Sequence, residues 1–231
     1  MFVSLKAAGA IAIAHIDRPP ANAMNLELLD QLVGAAERLA ADPPSALVIA
    51  GREGFFSAGV DLKAVPDYGP DERQRMVTGI NRMVLAIYGM SCPVVAAVTG
   101  HAIAGGLVLA LCADVRIASL DGQYGLTEVK VGVPYPQAAI GVVSAELPVA
   151  TARLLALSNR LVSGREALRL GLFDEGLPPT DVVARATEIA TEMASFPAEV
   201  YAATKRKLRD STLTAMRTAV DSEPLLEGWL G

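Results

Sequence analysis

Histidine and cysteine are scarce, with two of each in 231 residues. Cys92 and Cys112 lie in apolar surroundings, without CxxC spacing or a nearby pair of histidines, so neither a zinc site nor a thiol redox couple has support. Both read as core thiols. His15 sits in an alternating, strand-like stretch and His101 in a glycine turn. With no serine elbow, paired acid or metal-ligand spacing beside them, both read as structural. Positive charge is also short: the formal net charge is -5, which argues against a surface that tracks nucleic-acid phosphates. No apolar run is long enough to span a membrane. Met1 to Ile16 lacks the basic start, apolar run and cleavage site of a signal peptide. The expectation is a reducing, cytoplasmic setting with no nucleic-acid or membrane partner. Low-complexity tracts, long charge runs and obvious sequence repeats are missing as well.

What is present is apolar: 52% of residues are hydrophobic, enough to bury a core without disulfides or a structural metal. Val3 to Leu5 and Ala10 to Ile16 read as two strands around Ala8-Gly9, and Arg18-Pro19-Pro20 then opens a loop. Asn25 is placed to cap a helix carrying Leu28, Leu29, Leu32, Ala36 and Leu39 on one face, ended by Asp42-Pro43-Pro44. Ala46 to Ala50 suits a buried strand that runs into the glycine-rich segment Gly51 to Gly59. A helix over Asp71 to Met90, a strand over Val94 to Thr99, a second glycine turn over Gly100 to Gly106 and a short apolar helix repeat that order. Asp114 to Ala118 returns as a strand, so parallel crossovers are expected in an α/β fold. Beyond Pro134 the pattern is mainly helical. Ser163 to Glu166 forms a capping box, Gly171 a C-terminal cap, and Asp181 to Phe196, Ala198 to Arg209 and Thr212 to Asp221 read as three helices.

Two turns hold the chemistry: Phe55-Phe56-Ser57-Ala58-Gly59-Val60-Asp61-Leu62 and Gly100-His101-Ala102-Ile103-Ala104-Gly105-Gly106. Each is able to leave backbone N–H groups unpaired at the start of a helix or turn, where they stabilise an oxyanion. Either turn alone is more often plain loop geometry. Together with Cys112-Ala113-Asp114 and Tyr124-Gly125-Leu126-Thr127-Glu128-Val129-Lys130-Val131-Gly132, however, Phe56 to Leu62 and Ala104 to Gly106 resemble the enoyl-CoA hydratase/isomerase, or crotonase, family in order and spacing. The match covers nearly the whole chain.

The resemblance implies a crotonase-like spiral of ββα units over residues 1–177 and a C-terminal helical region over 178–231 that serves packing and trimerisation. It implies a homotrimer or dimer of trimers acting on an acyl-CoA, with CoA entering as part of the substrate and no separate cofactor or metal. The thioester oxygen would accept from the N–H groups of Val60 and Gly105. Ala58, Val60, Asp61 and Leu62 would lie around adenine and pantetheine, with Arg18 or Ala21 near the entrance. Family hydratases use two glutamates, and here Val108 stands at the first position while Glu128 keeps the second. Water addition benefits from two groups that position and activate it, whereas moving a double bond needs one base that removes and returns a proton. Ala104 to Leu111 and Tyr124 to Glu128 also resemble the single-glutamate Δ3,Δ2-enoyl-CoA isomerase branch.

The expectation is therefore an enoyl-CoA isomerase of fatty-acid degradation, with Glu128 shuttling a proton between C2 and C4 and the dienolate held at Val60 and Gly105. Enoyl-CoA hydration, thioester hydrolysis and non-catalytic acyl-CoA binding stay open as alternatives. Without the resemblance, Glu128 reads as an exposed carboxylate near a strand end. Arg18 reads as a solvated arginine, and Lys205, Arg206, Lys207 and Arg209 as a solvated basic helix face. Met76, Met83 and Met90 read as core filler, Glu146 and Glu166 as helix-end or surface residues, and Asp114 as structural. Tyr124 and Tyr135 are expected beside the pocket without donating a proton.

Overall fold

A computed structural model describes residues 1–220 and 222–224. In chain order, β1 (Val3–Ala8) and β2 (Ile11–Ile16) form a hairpin that turns at Gly9, whose φ of +65° favours glycine. Asn25 caps α1 (Leu26–Ala41) by accepting from the Leu28 N–H at 3.0 Å. There follow β3 (Ala46–Ala50), β4 (Gly54–Ser57), α2 (Pro70–Tyr88), β5 (Val94–Val98), β6 (Gly100–Ile103) and α3 (Gly105–Leu111). The chain continues through β7 (Val115–Ser119), β8 (Gln123–Gly125), α4 (Gln137–Glu146), α5 (Val149–Ser158), β9 (Val162–Ser163) and α6 (Gly164–Arg169). It ends in β10 (Glu175–Leu177), α7 (Val182–Met193) and α8 (Ala198–Ala219).

The strands make two sheets, one ordered β1-β2-β3-β5-β7-β10 and the other β4-β6-β8-β9. Only β1 and β9 run antiparallel to their neighbours. The successive pairs β3 and β4, β5 and β6, β7 and β8 each put their first strand in the larger sheet and their second in the smaller. The chain thus winds as a spiral. β3 and β5 are buried at every residue because both faces of the larger sheet are covered. Leu47, Ile49, Val94 and Ala96 face the main core, and Val48, Val95, Ala97 and Ile117 face Val182, Ala186 and Ala190 of α7.

Three details differ from the sequence reading. β4 and β6 fall where turns were expected and β8 where no element was, so the smaller sheet was not visible in the residue pattern. Its four strands have two to four residues, and β4, β6 and β8 include glycine, leaving no alternation to detect. The expected break after Arg209 is absent: α8 runs unbroken through Asp210 and Ser211, because Leu213 and Met216 bury against the core and Met216 reaches Gly141 of α4. Asp221, the expected end of that stretch, lies outside the described residues.

The basic face of α8 is also split. Arg206 and Lys207 are exposed, but Lys205 and Arg209, one turn apart, are buried. Lys205 Nζ lies 2.7 Å from Asp114 Oδ2 and donates to the Cys92 carbonyl at 3.0 Å. Arg209 lies 3.0 Å from Asp114 Oδ1 and stacks over Tyr88 at 3.9 Å. Asp114 itself accepts from the Val94 N–H, so one carboxylate ties α8 to the start of β5. Burial pushes the Lys205 amine down against the opposing pull of Asp114. Glu146 accepts from the Tyr88 hydroxyl at 2.8 Å and joins this network rather than standing at the surface. Burial raises the Cys92 thiol to about 11 and that of Cys112 to about 12, which leaves both unreactive near neutral pH.

Candidate active site

The spiral brings the two glycine turns into direct contact. A Cβ on Gly59 would meet the Gly105 nitrogen at 2.9 Å, and one on Gly106 would meet the Ser57 carbonyl oxygen at 2.1 Å. Only glycine permits that approach at positions 59 and 106, whereas a Cβ on Gly105 would make ordinary contact with Gly59 at 3.7 Å. Gly59 takes φ +78° and donates its N–H to Ser57 Oγ at 3.1 Å. The flanking strand segment fixes the next unit: Met24 N–H donates to the Gly59 carbonyl and Asp61 N–H to the Met24 carbonyl. Val60 lies between these bonds, and its own N–H has no partner among the described residues. Gly105 opens α3, where the first N–H groups have no helical acceptor, and its N–H is likewise unpartnered among the described residues. Ala104, just before it, is held at φ 53° and ψ −129°, a sparsely populated positive-φ conformation that costs a non-glycine residue about 1–3 kcal/mol.

Both turns border an apolar cavity of about 60 Å³. Ala58, Val60 and Leu62 come from the first turn, Ala104, Gly105 and Val108 from the second turn and α3, and Met24, Ile80, Met83 and Ala139 close the far side. The loop between β8 and α4 supplies Thr127, Glu128, Val131, Val133, Tyr135 and Pro136. Glu128 is the sole carboxylate among the described lining residues, and it is buried, with 7% of its surface exposed. Burial raises its carboxyl above the usual value, while a hydrogen bond from Tyr135 and those from the backbone act in the opposite direction. Tyr135 Oη donates to Glu128 Oε2 at 2.7 Å. Val108, 1% exposed, contributes only hydrocarbon to the wall.

Residues 6–225 match the model of the family described as enoyl-CoA hydratase/isomerase. The chain belongs to this family. A probable enoyl-CoA hydratase, EchA17 of Mycobacterium tuberculosis, is 32% identical over 202 residues, spanning 87% of this chain and 77% of that protein. The solved enoyl-CoA hydratase EchA3 of Mycobacterium marinum superimposes with a TM-score of 0.88 at 31% identity, over 96% of this chain and 97% of that one. Human mitochondrial Δ3-Δ2-enoyl-CoA isomerase gives a TM-score of 0.88 at 26% identity, over 96% and 88% of the two chains. The two-sheet spiral is thus the crotonase fold, and the protein is a member of an acyl-CoA enzyme family.

Within that enoyl-CoA hydratase/isomerase frame, the residues expected from sequence divide into two groups. Val60, Gly105, Glu128, Ala58 and Leu62 meet at the cavity. Arg18, Ala21 and Asp61 do not line it. Arg18 is not the solvated side chain expected: its guanidinium lies 2.9 Å from Asp61 Oδ2 and donates to the Ala23 carbonyl, with side-chain exposures of 19% and 13% for the pair. Ala21 acts through its carbonyl, which accepts from the Ala58 N–H. These contacts clamp the loop after β2 against the first glycine turn. Of the two tyrosines, Tyr135 borders the cavity, whereas Tyr124 is buried in the core with its hydroxyl donating to the Ser119 carbonyl. His101 Nδ1 accepts from the Gln123 N–H and its ring packs on Phe55, away from the cavity. Met83 lines the cavity while Met76 and Met90 fill the core.

Sequence reasoning passed over Asn22 and Ser57. Asn22 is fully buried and donates to the carbonyls of Ile16 and Phe56, and Ser57 Oγ donates to the Asn22 carbonyl at 2.8 Å. The available signal was an asparagine within the apolar run Ala21 to Met24, since such a residue is buried only when its amide is fully bonded.

Proposed function

We propose that this enzyme is an enoyl-CoA isomerase that moves a double bond from C3 to C2. The observation that carries this reading is the single carboxylate in the cavity, with Val108 where a second one would be needed to handle water. Glu128 takes a proton from C2 of a 3-enoyl thioester, and the electrons of that C–H bond spread over the thioester oxygen, C2 and C4. The N–H groups of Val60 and Gly105 receive the oxygen's developing charge, worth most in a dry, low-dielectric site. Glu128 then returns the proton at C4, leaving the double bond between C2 and C3. The proton lost is the proton regained, so the reaction calls for no redox partner or metal. Burial that raises the carboxyl makes it a stronger base toward a weak carbon acid.

The names of the mycobacterial relatives favour hydration as a second reading. Feeding 3-enoyl-CoA and 2-enoyl-CoA separately and identifying products decides between them. Double-bond migration is expected, with loss of about 10²- to 10⁴-fold in kcat for Glu128→Gln; exclusive formation of hydroxyacyl-CoA, or an unimpaired Glu128→Gln protein, overturns the assignment. The proposal extends to a cytoplasmic setting and to a trimer, the latter supported by exposed Val149 and Leu157 on α5 and Leu208 on α8, apolar surface available for subunit contact.

A further inference from the structure

Among the described residues, the hydrogen bond from Tyr135 is the one polar contact that Glu128 makes with another side chain. Both residues sit on one loop, and the loop is built to make them meet. The Glu128 carbonyl accepts from the N–H groups of Val131 and Val133, Gly132 reverses the chain at φ +72°, and Pro134 and Pro136 bracket Tyr135. A proline on either side restricts the backbone at Tyr135, so its ring projects from a stiff support. Among the described lining residues the remaining walls offer Glu128 no charge: α2 presents Ile80 and Met83, α3 presents Val108, and α4 presents Ala139. Burial and the neighbouring carboxylate raise the Tyr135 hydroxyl well above its ordinary value, so it stays protonated and serves as a donor.

We propose that Tyr135 is a positioning residue that pins Oε2 of Glu128, so that Oε1 alone carries the substrate proton from C2 to C4. This rests on the isomerase reading of Glu128 and adds a prediction to it. A carboxylate held at one oxygen keeps the proton on the face of the substrate from which it came and out of exchange with solvent. A carboxylate free to rotate presents either oxygen, loses alignment and releases its proton more often. The hydroxyl also stabilises the ionised base, opposing the effect of burial.

The test is Tyr135→Phe, which keeps the ring and removes the donor, compared with wild type, Glu128→Gln and the double variant. Thermal melts establish that all four fold. For Tyr135→Phe, kcat is expected to fall about 10- to 100-fold, the effect of losing a hydrogen bond to a charged group, while KM changes less than threefold. The acid limb of its pH profile moves upward. In deuterated water the product carries more solvent deuterium at C4 than with wild type. The double variant is no slower than Glu128→Gln, since Tyr135 acts through that carboxylate. If Glu128→Gln is inactive but Tyr135→Phe keeps the wild-type kcat, pH limb and label retention, the positioning role is wrong and the isomerase reading stands. Multiplicative losses in the double variant also overturn it, because Tyr135 would then act independently. Full activity in Glu128→Gln removes the isomerase reading itself.

Discussion

Gly106→Ala is a severe test of how the site is built. A methyl group there would lie 2.1 Å from the Ser57 carbonyl oxygen and 2.7 Å from its carbon, against the 3.4 Å at which ordinary contact begins. Relief requires the start of α3 and the end of β4 to separate by about 1.3 Å, in a region packed to crystal-like density. Both are main-chain segments, so no side-chain rotation absorbs the strain, and the cost belongs at the upper end of overpacking penalties, about 3 kcal/mol. For a chain of this size each kcal/mol lowers Tm by about 2–4 °C, giving a fall of about 6–12 °C. The same movement displaces the Gly105 N–H from Val60, and a misplacement near 1 Å costs about 100-fold in rate. Gly9→Ala is the control: Gly9 has φ +65° but nothing within 4 Å of the added carbon, so only backbone strain of about 1–2 kcal/mol applies and kcat stays unchanged. Scanning fluorimetry and 3-enoyl-CoA turnover read both effects. A Gly106→Ala protein with Tm within about 2 °C of wild type and undiminished kcat would refute the claim that backbone contact between the turns sets the site.

Two further outcomes follow from buried charge. Because burial raises the folded-state Glu128 carboxyl above its unfolded value, the folded chain binds that proton more tightly. Its stabilising contribution is full below the unfolded pKa of about 4.3 and is lost as pH rises through the folded pKa. Relative to wild type, Glu128→Gln should therefore gain Tm as pH rises above the unfolded carboxyl range of about 4; a difference that is flat with pH counts against a desolvated carboxylate. Asp114→Ala strands Lys205 and Arg209 in the interior, a loss of about 3–5 kcal/mol, or about 6–20 °C in Tm. Turnover at low temperature should stay within about twofold of wild type, since Asp114 lies outside the cavity. An unchanged melt would show that the network carries no stability.

Most of the larger sheet was legible because β3 and β5 are apolar at every position, a pattern that arises when both faces are covered, but its three-residue edge strand β10 was not. The smaller sheet was not, since strands of two to four residues held by backbone pairing leave no side-chain rhythm. Glu128, Val60 and Gly105 emerged from motif order, which encodes where the spiral returns. The partners of Arg18 and Lys205 did not, because each is fixed by a contact distant in the chain or across a turn: Asp61 is 43 residues from Arg18, and Asp114 is 91 residues from Lys205. Composition marks such cations as surface residues, and only the fold reveals an acid waiting inside. Tyr135 was read as a bystander for a similar reason, since a hydroxyl's aim depends on how a loop between two prolines closes.

The pairing of Val60 and Gly105 has an experimental corollary. Their N–H groups belong to the main chain, so alanine scanning is blind to them: every residue except proline brings the same group. A survey of side-chain variants would assign nearly all of the site to Glu128 and overlook the two amides proposed to receive the thioester oxygen. Replacing either amide by an ester through chemical synthesis or an α-hydroxy acid deletes a donor while leaving every side chain intact. The same property frees position 60 to drift among residues of differing shape while the N–H proposed to hold the anion persists.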